Sequence, residues 1–176
     1  MNYAKAFHVV AKASKESAVP CILIGGFAIN FYKVTRNTLD IDFLTTKEDF
    51  IKIKNALAAA GYAEEFATDV AVRFSNKKDA LDVDFMIVDD LTRKKIIEDG
   101  KTAEVVGEKL IIPSINHLIA LKLHAIKHNR KSRIWKDLPD IINLIQMNQI
   151  NCRDKAFKEL CLKYGDEEIY QTIAKN

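Results

Sequence analysis

The sequence predicts an α+β fold: a mixed sheet with flanking helices over residues 1–112, followed by an all-helical part over 113–176. Three observations predict it. Short apolar or alternating stretches recur up to residue 112, with helix-period stretches between them. From Pro113 onward only helix-period stretches remain. No Gly/Ser-rich linker divides the parts, so a core of 1–112 and a helical subdomain of 113–176 are expected to pack together.

Residues 4–17 place Phe7, Val10 and Ala13 or Ser14 on one side of an amphipathic helix that Pro20 stops. The run Cys21-Ile22-Leu23-Ile24, bounded by Pro20 and Gly25, suits a buried strand. Gly25-Gly26 turns the chain into a short helix over roughly 27–32. Leu39–Leu44 alternates apolar and acidic residues, the mark of a strand with its carboxylates on one face. Thr45 and Glu48 stand at capping-box spacing for a helix that Gly61 ends. Val70, Val72 and Phe74 alternate, as do Leu81, Val83 and Phe85, and the turn-like Ser75–Asp79 joins them into an antiparallel hairpin. A short helix over 91–99 and one or two strands within 102–112 complete the sheet-bearing part. Ser114 is placed to cap a helix to about 129. A second helix is expected near 138–148, and a third near 152–163, with Asn151 as its cap and Gly165 as its end.

Apolar residues make up 48% of the 176, enough for a continuous core, yet no apolar run reaches the roughly 20 residues of a membrane-spanning helix. The N-terminal stretch lacks the apolar core of a secretory leader. Cys21, Cys152 and Cys161 are odd in number and widely spaced, which argues against a disulfide framework. A reduced cytoplasm is the expected location. The net charge of +3 is too mild to declare nucleic-acid binding. Basic residues do crowd locally, at His124, Lys127, His128, Arg130, Lys131 and Arg133.

The chemistry-bearing residues lie elsewhere. Asp40 and Asp42, two apart on a strand, point the same way at roughly 6–7 Å spacing. Carboxylates so placed can share divalent cations, and oxygen donors suit Mg²⁺ or Mn²⁺. A third carboxylate from a neighbouring strand would complete such a site, and Leu81-Asp82-Val83-Asp84-Phe85 offers Asp84 or Asp82. The competing reading of each acidic face is plain hydration. Gly25 and Gly26, after a strand and before a helix, let backbone N–H groups approach a phosphate. They also suit a simple tight turn.

Gly-Gly, thirteen residues, then Asp-Ile-Asp resembles the signature of the DNA polymerase β-like nucleotidyltransferase superfamily. Within Gly25-Gly26-Phe27-Ala28 through Arg36-Asn37-Thr38-Leu39-Asp40-Ile41-Asp42 the form is narrower, and looks like that of AbiEii-type toxin–antitoxin nucleotidyltransferases. Leu121-Lys122-Leu123-His124-Ala125, Arg130, and Trp135-Lys136-Asp137-Leu138-Pro139-Asp140 resemble that group's KxxA…R…KDxxD helical motif. The resemblance implies a nucleotidyltransferase-like sheet and roles at the matching positions. Gly25 and Gly26 would contact the triphosphate. Asp40, Asp42 and Asp84 would bind metal, with Asp84 also the candidate base. Lys122 would reach the triphosphate as a point charge. Asp137 would act as a base or orient Lys122. Arg36 and Thr38 would hold the loop before the metal strand or touch phosphate.

The activity so implied is metal-dependent transfer of a nucleoside monophosphate from an NTP to a hydroxyl of tRNA, protein or a small molecule, in a toxin–antitoxin or phage-defence setting. An antibiotic nucleotidyltransferase is one alternative. A non-catalytic module binding a partner protein, such as a cognate toxin or antitoxin, is another. Lys122, Lys127 and Arg130 form either a solvated basic helix face or a phosphate or RNA contact. His124 and His128 have helical zinc spacing, but no further ligand at motif spacing. Trp135 is expected to anchor a core.

Overall fold

A computed structural model of the chain describes residues 4–79 and 81–175. Its contacts divide the chain into two compact units: Met1–Ala28 with Arg36–Ser114, and Ile29–Thr35 with Ile115–Asn176.

The first unit is built on a seven-stranded mixed sheet. In chain order it contains α1 (Ala4–Glu16), β1 (Ile22–Ile24), the start of α2 (Gly25–Phe31), β2 (Asp40–Thr45), α3 (Lys47–Ala59), β3 (Ala63–Ala67), β4 (Ala71–Ser75), β5 (Asp82–Ile87), α4 (Asp90–Glu98), β6 (Lys101–Val105) and β7 (Glu108–Ile112). Across the sheet the order is β3-β4-β5-β2-β1-β7-β6. The β2–β5 and β1–β7 pairs are parallel, and the remaining pairs are antiparallel. The strands β4 and β5 form the expected antiparallel hairpin.

Period-2 alternation gives the central strands two unlike faces. Ile41, Phe43, Val83 and Phe85 are buried on one face. There Phe43 stacks on Phe85 at 5.8 Å between ring centroids, Phe7 of α1 meets Phe43 at 6.3 Å, and Phe50 of α3 meets Phe85 at 5.3 Å. Truncating any of these rings to Ala would cost about 3–5 kcal/mol. That packing forces the intervening residues Asp40, Asp42, Asp82 and Asp84 onto the opposite face.

The second unit contains α5 (Ile115–His128), α6 (Arg130–Met147), α7 (Lys155–Tyr164) and α8 (Glu167–Ala174), together with the end of α2. Leu118, Ile119, Leu123 and Ile126 of α5, Ile141 and Leu144 of α6, and Phe157 and Cys161 of α7 are buried.

Several elements differ from the sequence expectation. The α3 N-cap is Thr46, whose hydroxyl accepts from the Asp49 N–H at 3.3 Å. Thr45 is instead the last residue of β2, held in register opposite Ile87 of β5. The α6 helix begins at Arg130 and runs through Pro139. Pro139 is exposed, where the carbonyl freed by its missing N–H can be hydrated. Asp154 stands at the N-cap position of α7 without a side-chain capping bond, and Asn151 donates from its side chain to Asp154 Oδ1 at 2.7 Å. Trp135 is 84% exposed rather than a core anchor. Two positions separate it from buried Asp137, which turns it some 200° around the helix. Neither β3 nor α8 was expected.

No described helix is long and apolar enough to cross a membrane, and Cys21, Cys152 and Cys161 are free thiols. Burial pushes both Cys21 and Cys161 up to about 12, so neither is a ready thiolate.

Candidate active site

The parallel register of β2 and β5 sets Asp40 opposite Asp82 and Asp42 opposite Asp84. All four project from one face, as period-2 geometry requires. Asp40, Asp42 and Asp84 each offer a carboxylate oxygen, and these oxygens lie within 4.8 Å of one another. All three residues are half-buried. Asp82 stands outside that group, and burial in the company of Glu65, Asp84 and Asp40 raises its pKa while Arg73 opposes the rise. Among the described residues, this is the group of three or more His, Cys, Asp or Glu that could hold an ion. The donors are hard oxygens only, which fits Mg²⁺ or Mn²⁺.

The loops at this end of the strands hold the carboxylates. Gly25 has φ +65°, and a Cβ there would fall 1.9 Å from Asp42 Oδ2. Glycine is thus required both by the left-handed backbone and by the close approach of the carboxylate. A Cβ on Gly26 would fall 2.8 Å from Thr38 Cβ. Thr38 in turn donates its hydroxyl to Asp40 Oδ1 at 2.5 Å, with Asp40 O at 3.1 Å. The two glycines are therefore packed against Asp42 and against the residue that orients Asp40. Arg36 is half-buried in the loop before β2.

Arg73 on β4 lies opposite Asp84 in the antiparallel register. Its Nε donates to Asp84 Oδ1 at 2.7 Å and its Nη2 to Asp84 Oδ2 at 2.5 Å, a fork on both oxygens. That hydrogen bonding raises the guanidinium pKa further.

Lys122 and Asp137 belong to the second unit. Lys122 Nζ donates to Asp137 Oδ1 at 2.8 Å and to Asp140 Oδ2 at 2.7 Å. All three residues are at least nine-tenths buried. Asp137 Oδ2 makes no hydrogen bond, although Arg133 Nη1 approaches it at 3.8 Å. His124 and His128 lie with ring centroids 4.2 Å apart. Burial, then the charges of His128 and Lys127, lower the pKa of His124. Arg130 is engaged by Asp166 at 2.9 Å and Glu168 at 2.7 Å.

Sequence reasoning missed Arg73 and Asp140. Asp140 was legible as the second acid of Lys136-Asp137-Leu138-Pro139-Asp140, three residues after Asp137 and so beside it on a helix. Arg73 carried no local signal. Its meaning comes from the cross-strand register that sets it against Asp84.

A family described as uncharacterised nucleotidyltransferase matches residues 2–174. Comparison with curated proteins finds no match. Among solved structures, the chain is similar to ANT(2")-Ia in complex with adenylyl-2"-tobramycin: TM-score 0.68, 15% identity, covering 93% of this chain and 97% of that one. It is similar to the lincosamide antibiotic adenylyltransferase LnuA with lincomycin bound: TM-score 0.58, 16% identity, covering 81% and 96%. An antigenic nucleotidyltransferase-like protein from Paracoccidioides brasiliensis gives TM-score 0.56 at 14% identity, covering 98% and 91%. At these identities the likenesses show the fold, and it is the nucleotidyltransferase fold that the first glycine–aspartate motif implied. The narrower AbiEii-type likeness gains nothing from them. With the family profile spanning nearly the whole sequence, the chain belongs to this nucleotidyltransferase family.

Proposed function

We propose that the chain transfers a nucleoside monophosphate from an NTP to a hydroxyl acceptor, with Asp40, Asp42 and Asp84 holding Mg²⁺ or Mn²⁺. In this reading residues 1–112 are the catalytic core and 113–176 its helical subdomain. The observation that carries it is the meeting of three carboxylate oxygens within 4.8 Å, beside Gly25, whose left-handed backbone and close approach to Asp42 require glycine.

When bound, the divalent ions would offset the triphosphate's charge and lower the proton affinity of the attacking hydroxyl. The chain's own residues supply the rest. Backbone N–H groups at Gly25 and Gly26 take phosphate oxygens, and Arg36 adds charge. Thr38 fixes the Asp40 carboxylate. Asp84 accepts the acceptor's hydroxyl proton at the carboxylate oxygen that it does not give to the ion. The acceptor oxygen bonds to the α-phosphorus, the bond from that phosphorus to the bridging oxygen breaks, and pyrophosphate leaves. The nucleotide role given to Lys122 and Asp137 has its own readout, the NTP affinity of Lys122→Gln.

One fold neighbour is in complex with adenylyl-2"-tobramycin and another is lincomycin-bound, which favours a small hydroxylated molecule as acceptor over tRNA or protein. Incubation with each α-labelled NTP, Mg²⁺, and separately aminoglycosides and lincosamides, total tRNA, or lysate protein tests the reading. Label on the small-molecule pool is the expected result. Label on tRNA or protein would keep the transfer and change the acceptor. No label on any pool, with no metal-dependent shift in melting, would leave a binding module for a partner protein.

A further inference from the structure

We propose that Arg73 and a divalent cation compete for the Asp84 carboxylate, so that Arg73 sets how tightly the cluster takes up metal. This rests on the metal role proposed above for Asp40, Asp42 and Asp84.

The argument is geometric. One Asp84 oxygen belongs to the group shared with Asp40 and Asp42. Arg73 donates to both Asp84 oxygens, Nε to one and Nη2 to the other. Whichever oxygen faces the other two acids therefore already bears an Arg73 N–H. A dication on that oxygen would share it with a guanidinium, and two cations on one carboxylate oppose each other. The contact is also easily exchanged. The Arg73 side chain is 43% exposed and that of Asp84 23%, so the pair is solvent-screened rather than buried. The antiparallel register keeps Arg73 beside Asp84, and its long stem lets the guanidinium swing into water without moving the strand.

Competition differs from the two other roles an arginine could have here. An arginine that orients Asp84 for metal would strengthen binding, and a surface ion pair unrelated to metal would leave it unchanged. Competition predicts that removing the charge strengthens binding.

The test titrates the whole chain with Mn²⁺, reading free Mn²⁺ by electron paramagnetic resonance, alongside melting in chelator and in Mn²⁺. Arg73→Gln is expected to bind Mn²⁺ about two- to fivefold tighter than wild type, the scale of an exposed ion pair. Its melting point in chelator is expected to fall, because the acids lose a counter-charge, and its rise on adding Mn²⁺ to exceed that of wild type. Arg73→Lys, with charge but no fork, is expected to fall between the two. Equal or weaker Mn²⁺ binding by Arg73→Gln would overturn competition while leaving the metal site standing. No Mn²⁺ uptake by wild type and variant alike would overturn both. If Arg73→Gln does not fold, Arg73→Lys decides: tighter than wild type supports the proposal, and equal or weaker overturns it.

Discussion

The two units each hold a cluster of one cation and several carboxylates, and the clusters are built in opposite ways. In the helical unit the cation is central. Lys122 lies buried between Asp137 and Asp140, and α5 and α6 hold it there. In the sheet-bearing unit the acids are central and half-buried, and Arg73 reaches them from the flank. The first arrangement ties α5 to α6 through two short hydrogen bonds and leaves Asp137 Oδ2 without one. The second leaves three acids side by side, which is repulsive unless something cationic joins them.

That contrast is tested most severely at Lys122. Lys122→Met is expected to destabilise the protein by about 3–5 kcal/mol in urea melts, because two buried carboxylates lose their shared cation. Adding Asp137→Leu and Asp140→Leu should recover most of the loss, since an apolar trio asks for no desolvation. A Lys122→Met protein within about 1 kcal/mol of wild type would show that pairing does not hold this cluster together.

Asp42→Asn is the matching test in the other cluster, and its effect should fall on chemistry instead. Transfer should slow by about 3–4 kcal/mol of barrier or more. Folding stability without metal should hold or rise as one repelling charge is removed. Metal stabilises whichever state binds it, so Mg²⁺ or Mn²⁺ should raise the melting point of wild type more than that of Asp42→Asn. Undiminished transfer by the variant would end the carboxylate mechanism.

Next in size stands Gly25→Ala. The left-handed backbone alone costs Ala about 1–2 kcal/mol. The new Cβ must also push Asp42 Oδ2 away from 1.9 Å. Stability and Mn²⁺ affinity should therefore fall together, which calorimetry on one sample can read. A loss of stability with Mn²⁺ affinity intact would mean that the glycine serves the turn and not the carboxylate.

How far these clusters were legible in the sequence follows from what kind of signal each residue emits. Asp40, Asp42 and Asp84 alternate with buried Ile41, Phe43, Val83 and Phe85, so period 2 alone put them on a face apart from the core. Gly25 and Gly26 stood at a strand–helix turn, where backbone needs are local. Arg73 and the choice between Asp84 and Asp82 depend on which strand pairs with which, and that information is not local. The β3 strand, Ala63–Ala67, is exposed at every position, so as an edge strand it lacks the alternation that reveals a half-buried one. The start of α6 was hidden by Pro139, whose local preference against helix is overridden by the packing of Ile141 and Leu144 behind it.

The smallest expected effect belongs to Asp82, the fourth acid of the face and the alternative third ligand. Burial raises its folded-state pKa above the ordinary 3.8, so the folded protein disfavours its ionised form. For such an acid, stability is greatest below 3.8, where folded and unfolded chains both carry the proton, and declines as pH rises through the folded-state value. Asp82→Asn carries no charge at any pH. It should be more stable than wild type at neutral pH by about 0.5 kcal/mol or less, an advantage that vanishes as pH falls below 3.8. Melting at pH 7 and pH 3.5 measures both limits. Since Asp82 stands outside the group of oxygens within 4.8 Å, Mn²⁺ affinity should barely change in the same variant. Loss of Mn²⁺ binding in Asp82→Asn, with binding retained in Asp84→Asn, would exchange their roles and move the third ligand one alternation back along β5.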